Sequence, residues 1–99
     1  MGGTMYRNKK LLEACRQLPC QLCHIEDWTV IAAHSNQLLD GKGKGIKASD
    51  YRIAALCFSC HMDLDQGNKL SKEQRREFWE MAHRLTIGEL FERGLIVCP

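Results

Sequence analysis

No stretch of the sequence approaches the ~20 consecutive apolar residues of a membrane-spanning helix, so no membrane partner is expected. Internal repeats, low-complexity tracts and linker-like runs are also missing, and the 99 residues then make a single domain, residues 1–99. The opening MGGTMYRNKKLLEAC has neither an apolar leader core nor a small-residue cleavage site. Its first four residues read as a remnant ahead of Met5, and the expectation is a chain kept in a reducing, cytoplasmic compartment. Disulfides are disfavoured there. An excess of one charge is lacking too: the formal net charge is +2, too small to argue for nucleic-acid binding except from where the lysines and arginines lie. A chain this short is also poor in core, burying roughly 60 to 65% of its surface. A staple would help it fold.

Cysteine supplies the candidate staple. Six are present, four of them in two C-x-x-C-H runs, LPCQLCHIED (Cys20, Cys23, His24) and LCFSCHMDLD (Cys57, Cys60, His61). Such a run is either an attachment site for c-type haem or half of a zinc site. A dihaem electron carrier would take His34 and His83 as distal ligands. A reducing compartment does not favour haem attachment, and both pairs lie in short turns suited to zinc knuckles. Cys20, Cys23, Cys57 and Cys60 then close a structural zinc tetrahedron with Zn–S distances of ~2.3 Å. Four thiolates and one Zn²⁺ bring the net charge to about zero. Cys15 falls on an apolar face with Leu11, Leu12 and Leu18, and Cys98 sits near the end; both read as packing or incidental residues. Between Cys23 and Cys57 lie 33 residues, more than a simple ribbon needs, and function is sought in that insert.

The elements are short. Residues 8–17, NKKLLEACRQ, suit a helix that Pro19 stops. WTVIAAHS, residues 28–35, predicts a strand with Trp28, Val30, Ala32 and His34 alternating onto one face. A Gly-Lys loop follows, in which Lys42, Lys44 and Lys47 are mobile cations. YRIAAL, residues 51–56, is the returning strand, and HMDLDQGN after Cys60 a short helix that Gly67 ends. Ser71-x-x-Gln74 signals a helix to about Leu85 with Phe78, Met81, Ala82 and Leu85 on its buried side. Thr86-x-x-Glu89 repeats the signal for a last helix closed by Gly94.

Strand, loop, strand and helix, with His34 ending the first strand and His61 opening the helix, resemble the ββα-metal, or HNH, nuclease fold in its zinc-stapled form. The resemblance implies an α+β domain in which a four-cysteine zinc site holds the hairpin and helix, with flanking helices. More narrowly the chain is similar to the small phage and prophage nucleases of the YbcO type, and less closely to the nuclease domain of the RecA-dependent nuclease Ref. Ala33-His34, Asp50, the C-x-x-C-H-x-x-x-D run from Cys57 to Asp65 and the Gly94–Ile96 step carry that likeness over roughly residues 11–97. It implies a metal-dependent DNA endonuclease of low sequence specificity, working in phage or prophage recombination or DNA processing in the cytoplasm of a bacterial host.

Phosphodiester cleavage needs a base for water, a cation for the charge on phosphate and leaving oxygen, and fixed geometry between them. The resemblance implies His34 as the catalytic base. His61 and Asp65, i and i+4 on one helix, project from one face and can share a catalytic divalent ion such as Mg²⁺, while Asp63 points away. Asp50 either adds a third metal oxygen or orients His34. Lys42, Lys44, Lys47 and Arg52 are the expected contacts to DNA phosphates. Two positions depart from the wider HNH pattern: Ala33 stands where many members have an acidic metal ligand, and Arg52 where many have Asn. Asn36 and Asp50 are placed to compensate. The competing class is a zinc-stapled module that binds DNA or a recombination protein without cutting.

Overall fold

The computed structural model describes residues 6–37 and 47–96. Its elements are a first helix α1 (Lys9–Arg16), a hairpin of β1 (Ile31–His34) and β2 (Ile53–Leu56), a short helix α2 (Phe58–Asp65) and a long helix α3 (Lys72–Glu92). The two strands pair antiparallel, Ile31 opposite Leu56 and His34 opposite Ile53. The result is a small α+β domain in which all of β2 is buried.

Local chemistry explains most boundaries. Asn8 caps α1 by accepting from the Leu11 amide at 3.1 Å. Ser71 and Gln74 exchange side-chain and backbone bonds in a capping box at the start of α3. At the other end Gly94 takes φ +70°, and the amides of Gly94 and Leu95 return to the carbonyls of Phe91 and Leu90. Gly67 follows α2 for a different reason. A Cβ there would lie 2.5 Å from the Asp63 carbonyl oxygen.

Several expectations change, the returning strand beginning at Ile53 rather than Tyr51. The first strand begins at Ile31 rather than Trp28, because Asp27 accepts from the amide and hydroxyl of Thr29 and turns the chain there, leaving Trp28 93% exposed. The short helix begins earlier, at Phe58, with the Cys57 sulfur as its N-cap. The two C-terminal helices are one. Thr86 does not cap a new helix: its hydroxyl donates back to the Ala82 carbonyl at 2.7 Å and accepts from the Ala55 amide at 2.9 Å. A residue that looks like a helix start is instead the buried bond between α3 and β2.

The buried face of α3 is Trp79, Ala82, Thr86 and Leu90. Phe78, Met81 and Leu85, expected inside, are 41 to 46% exposed. The polar atoms of the buried face decide the rotation. Trp79 Nε1 donates to the Ala33 carbonyl, His83 Nδ1 donates to the Ile53 carbonyl at 2.7 Å, and Thr86 takes the Ala55 amide. Turning Phe78 and Met81 inward would leave those hairpin groups unpaired, a cost of ~1–3 kcal/mol each. Ahead of α1, residues 6–8 lie against 47–50, with Asp50 donating its amide to the Tyr6 carbonyl and Tyr6 its own to Ser49 Oγ.

Substituting Thr86 by Val keeps shape but strands the Ala55 amide. The expected loss is ~1–3 kcal/mol, read as a lower urea midpoint at unchanged slope.

Candidate functional site

Two turns bring the cysteines together. In the first, the Cys20 amide donates to the Ile25 carbonyl and the His24 amide to the Cys20 carbonyl, both at 2.9 Å. His24 takes a left-handed φ of 66° to close it. The Gln21 amide donates to the Ala55 carbonyl, fastening this turn to β2. In the second, the Cys60 amide donates to the Cys57 sulfur at the start of α2. The ligand sulfurs of Cys20, Cys23, Cys57 and Cys60 all lie within 4.8 Å of one another, and Cys23 and Cys57 are 3.6 Å apart. A tetrahedral ion bonded to sulfur at ~2.3 Å needs S···S separations of ~3.8 Å. The four cysteines therefore form a cluster that can bind a metal such as zinc.

The electrostatics of the cluster also call for a cation. Burial alone raises the Cys20 thiol, but the amides of Cys23, Cys57 and Leu22 and the Cys23 side chain outweigh it and bring the group to about 7. Cys57 and Cys60 are pushed up, first by burial and then by neighbouring thiols and the Cys20 charge. One thiolate forms readily; four require a metal to neutralise them. With both pairs converged on one point, no room remains for two separately attached porphyrins, and the dihaem arrangement does not fit. Cys15 is fully buried beside α1's apolar neighbours, which pushes its thiol up to about 12. Cys98 lies outside the described residues.

A cavity of about 410 Å³ is lined by His34, Asn36, Gln37, His61, Leu64, Asp65, Lys72, Arg75, Arg76 and Trp79. His34, His61 and Asp65 thus share one cavity. His34 comes from the end of β1, and its Nε2 lies 2.8 Å from Asp50 Oδ1. Asp50 is 2% exposed; its Oδ1 also accepts from Arg7 at 3.2 Å, and its Oδ2 from the Asn8 amide at 2.6 Å. Burial works against the charge, but the bonds from His34 and Asn8 and the Arg7 charge hold the carboxyl below its ordinary value. An ionised Asp50 makes Nε2 the protonated ring nitrogen and leaves Nδ1 with the lone pair. Both carboxylate oxygens of Asp50 are engaged, Oδ1 by the His34 ring and Arg7 and Oδ2 by the Asn8 amide.

His61 is half-buried and Asp65 exposed. Among the described residues, only the cysteines form a group of three or more candidate ligands within 4.8 Å. His34, His61 and Asp65 face one space without being drawn together in that way.

Among the described residues, none of the cations expected to meet DNA phosphates lines this cavity. Lys42 and Lys44 lie outside the described residues, and Lys47 is exposed while its carbonyl accepts from Arg7. Arg52 is not a free phosphate ligand. It pairs with Glu80, which also accepts from Gln37, and stacks 4.8 Å from the Trp79 ring centre. Despite burial, the bonds from Arg52 and Gln37 keep the Glu80 carboxyl below its usual range. The cations at the cavity are instead Lys72, Arg75 and Arg76 in the first two turns of α3. Arg75 Nε is buried with no partner. Their i, i+3, i+4 spacing, legible in SKEQRR, was the available signal for a cationic helix face.

A strong chelator is expected to unfold the domain, because metal-binding free energy in a small zinc protein is folding free energy. Circular dichroism measures it; Cys57→Ser should behave like chelation and Cys98→Ser like the parent. Comparison with family models, with curated proteins and with solved structures finds no match to the chain.

Proposed function

We propose that the protein is a metal-dependent DNA endonuclease of HNH type with low sequence specificity, its hairpin and helix held by structural zinc. One observation carries the reading. His34, with its ring gripped by a buried carboxylate, lines the same cavity as His61 and Asp65, and three cations line that cavity too.

The chemistry follows from that arrangement. Lys72, Arg75 and Arg76 attract the phosphate backbone, and the positive end of α3 adds to their field. These contacts position the strand without reading bases. Nδ1 of His34 takes a proton from water, and the resulting imidazolium is stabilised through Nε2 by Asp50. His61 and Asp65 would hold a divalent cation such as Mg²⁺, which supplies charge stabilisation at the phosphate and leaving oxygen. Asn36, exposed at the cavity, is the polar neighbour that offsets Ala33. One small module covers ~600–1,000 Å² of DNA, which suits modest specificity. The resemblance to phage and prophage nucleases supports a role in recombination or DNA processing in a bacterial cytoplasm.

A second reading keeps the zinc staple and the cationic face but no cleavage, the protein binding DNA or a recombination protein. It draws on the fact that His61 and Asp65 are not gathered with a third ligand in the manner of the cysteines.

Plasmid nicking with Mg²⁺ or Mn²⁺ separates the two. His34→Ala is expected to retain folding, zinc and DNA affinity while cleaving roughly 10² to 10⁴-fold more slowly, the usual scale for a lost general base. Arg75→Ala with Arg76→Ala should do the reverse to binding, lowering affinity and flattening its salt dependence by ~0.9 for each phosphate the protein ceases to neutralise. A parent that shows no cutting under any divalent ion, or a His34→Ala variant as fast as the parent, would falsify the enzyme reading.

A further inference from the structure

We infer that the substrate strand is unpaired beside the scissile phosphate, and that Trp28 and Phe58 form the platform on which a flanking base stacks. A second cavity, about 420 Å³, is lined by Trp28, Thr29, Ile31, Phe58, His61 and Met62. His61 lines both cavities, so the apolar space adjoins the cationic one at that residue. The inference rests on the nuclease reading for the path of the strand.

Trp28 is 93% exposed and Phe58 51%. Neither belongs to the core, yet the backbone that carries each is fixed by hydrogen bonds. Asp27 fixes the turn that presents Trp28 by accepting from the amide and hydroxyl of Thr29. The same Thr29 hydroxyl accepts from the Phe58 amide at 3.2 Å, tying the Trp28 turn to the first residue of α2. Two aromatic side chains are thus presented by one hydrogen-bonded unit next to His61.

The occupant is chosen by what adjoins the platform. Lys72, Arg75 and Arg76 favour a polyanion in the neighbouring cavity. A polyanion with flat apolar groups at regular intervals is a nucleic-acid strand. In a duplex those faces are already stacked on one another; in a single strand, bulge or frayed end they are available to aromatic side chains. Joined cationic and aromatic surfaces are the arrangement by which proteins hold unpaired strands without reading sequence.

Zinc-loaded protein offers a direct test. Trp28 and Trp79 are the two tryptophans, and Trp79, 7% exposed, lines the cationic cavity, so the quenching that belongs to Trp28 is the part that Trp28→Phe loses. A single-stranded oligothymidylate is expected to quench emission where a blunt hairpin duplex of equal length does not. Trp28→Ala should weaken single-strand binding by roughly 5- to 150-fold, the range for losing one stacked base. Trp28→Phe should restore most of it, and duplex binding should be unchanged. Single-strand binding that is indifferent to Trp28→Ala overturns the platform. So does a concentration-dependent dimer that Trp28→Ala abolishes with no response to oligonucleotide, since the face would then belong to a second copy. Nicking assayed in parallel keeps the two ideas apart. Cutting with an indifferent Trp28 removes the platform alone, whereas quenching without cutting removes the nuclease reading and supports a single-strand binding site.

Discussion

Four sulfurs drawn within 4.8 Å of one another tie the turn ahead of β1 to the start of α2, and the rest of the structure depends on that tie. Among the described residues the sheet has two strands, and an isolated hairpin is marginal in water. The cluster removes the freedom of both its flanks. It closes the first turn against β2 through the Gln21–Ala55 bond and fixes where α2 begins, since Cys57 is at once a cluster member and the helix cap. His61 follows one residue after the last cysteine, so its position is set by the same constraint that holds the fold.

Around the His34 end of the hairpin the organising groups are carboxylates rather than sulfur. Asp50 gathers Arg7, the Asn8 amide and His34, so the chain ahead of α1 is fixed by the same carboxylate that orients the imidazole. Glu80 gathers Arg52 and Gln37 across the end of the hairpin. Each carboxylate absorbs an arginine that sequence alone leaves free for a ligand. The cations that remain turned toward the cavity belong to α3. Partition of arginine between internal pairs and open surface is thus a property of the fold, and the net charge carries no trace of it.

Legibility in the sequence followed the range of the interactions. The four cysteines, the capping box at Ser71 and the stop at Gly94 are local signals, and each specifies what it says within a few residues. The end of β1 at His34 and the placing of His61 and Asp65 on one helix were readable for the same reason. Thr86 misled because its hydroxyl is locally a cap and globally a partner for Ala55, 31 residues away. The rotation of α3 was illegible for a related cause. Apolar count favours burying Phe78, Met81 and Leu85, but the hairpin's carbonyls and amide at Ala33, Ile53 and Ala55 need Trp79, His83 and Thr86. Periodicity puts Trp28 in the strand because it ignores the Asp27 turn. The spacing of Lys72, Arg75 and Arg76 marks a helical face that the sequence analysis does not single out, and only the fold puts that face beside His34.

The central claim is that one metal ion, bound by sulfur alone, holds the two turns together and leaves every histidine outside its coordination sphere. X-ray absorption at the zinc edge of the purified protein tests it most directly. The account predicts four sulfur neighbours at ~2.3 Å and no nitrogen or oxygen bonded to the ion. A spectrum with one or more imidazole nitrogens among the ligands would contradict it, because a histidine spent on the staple is not available to the cavity.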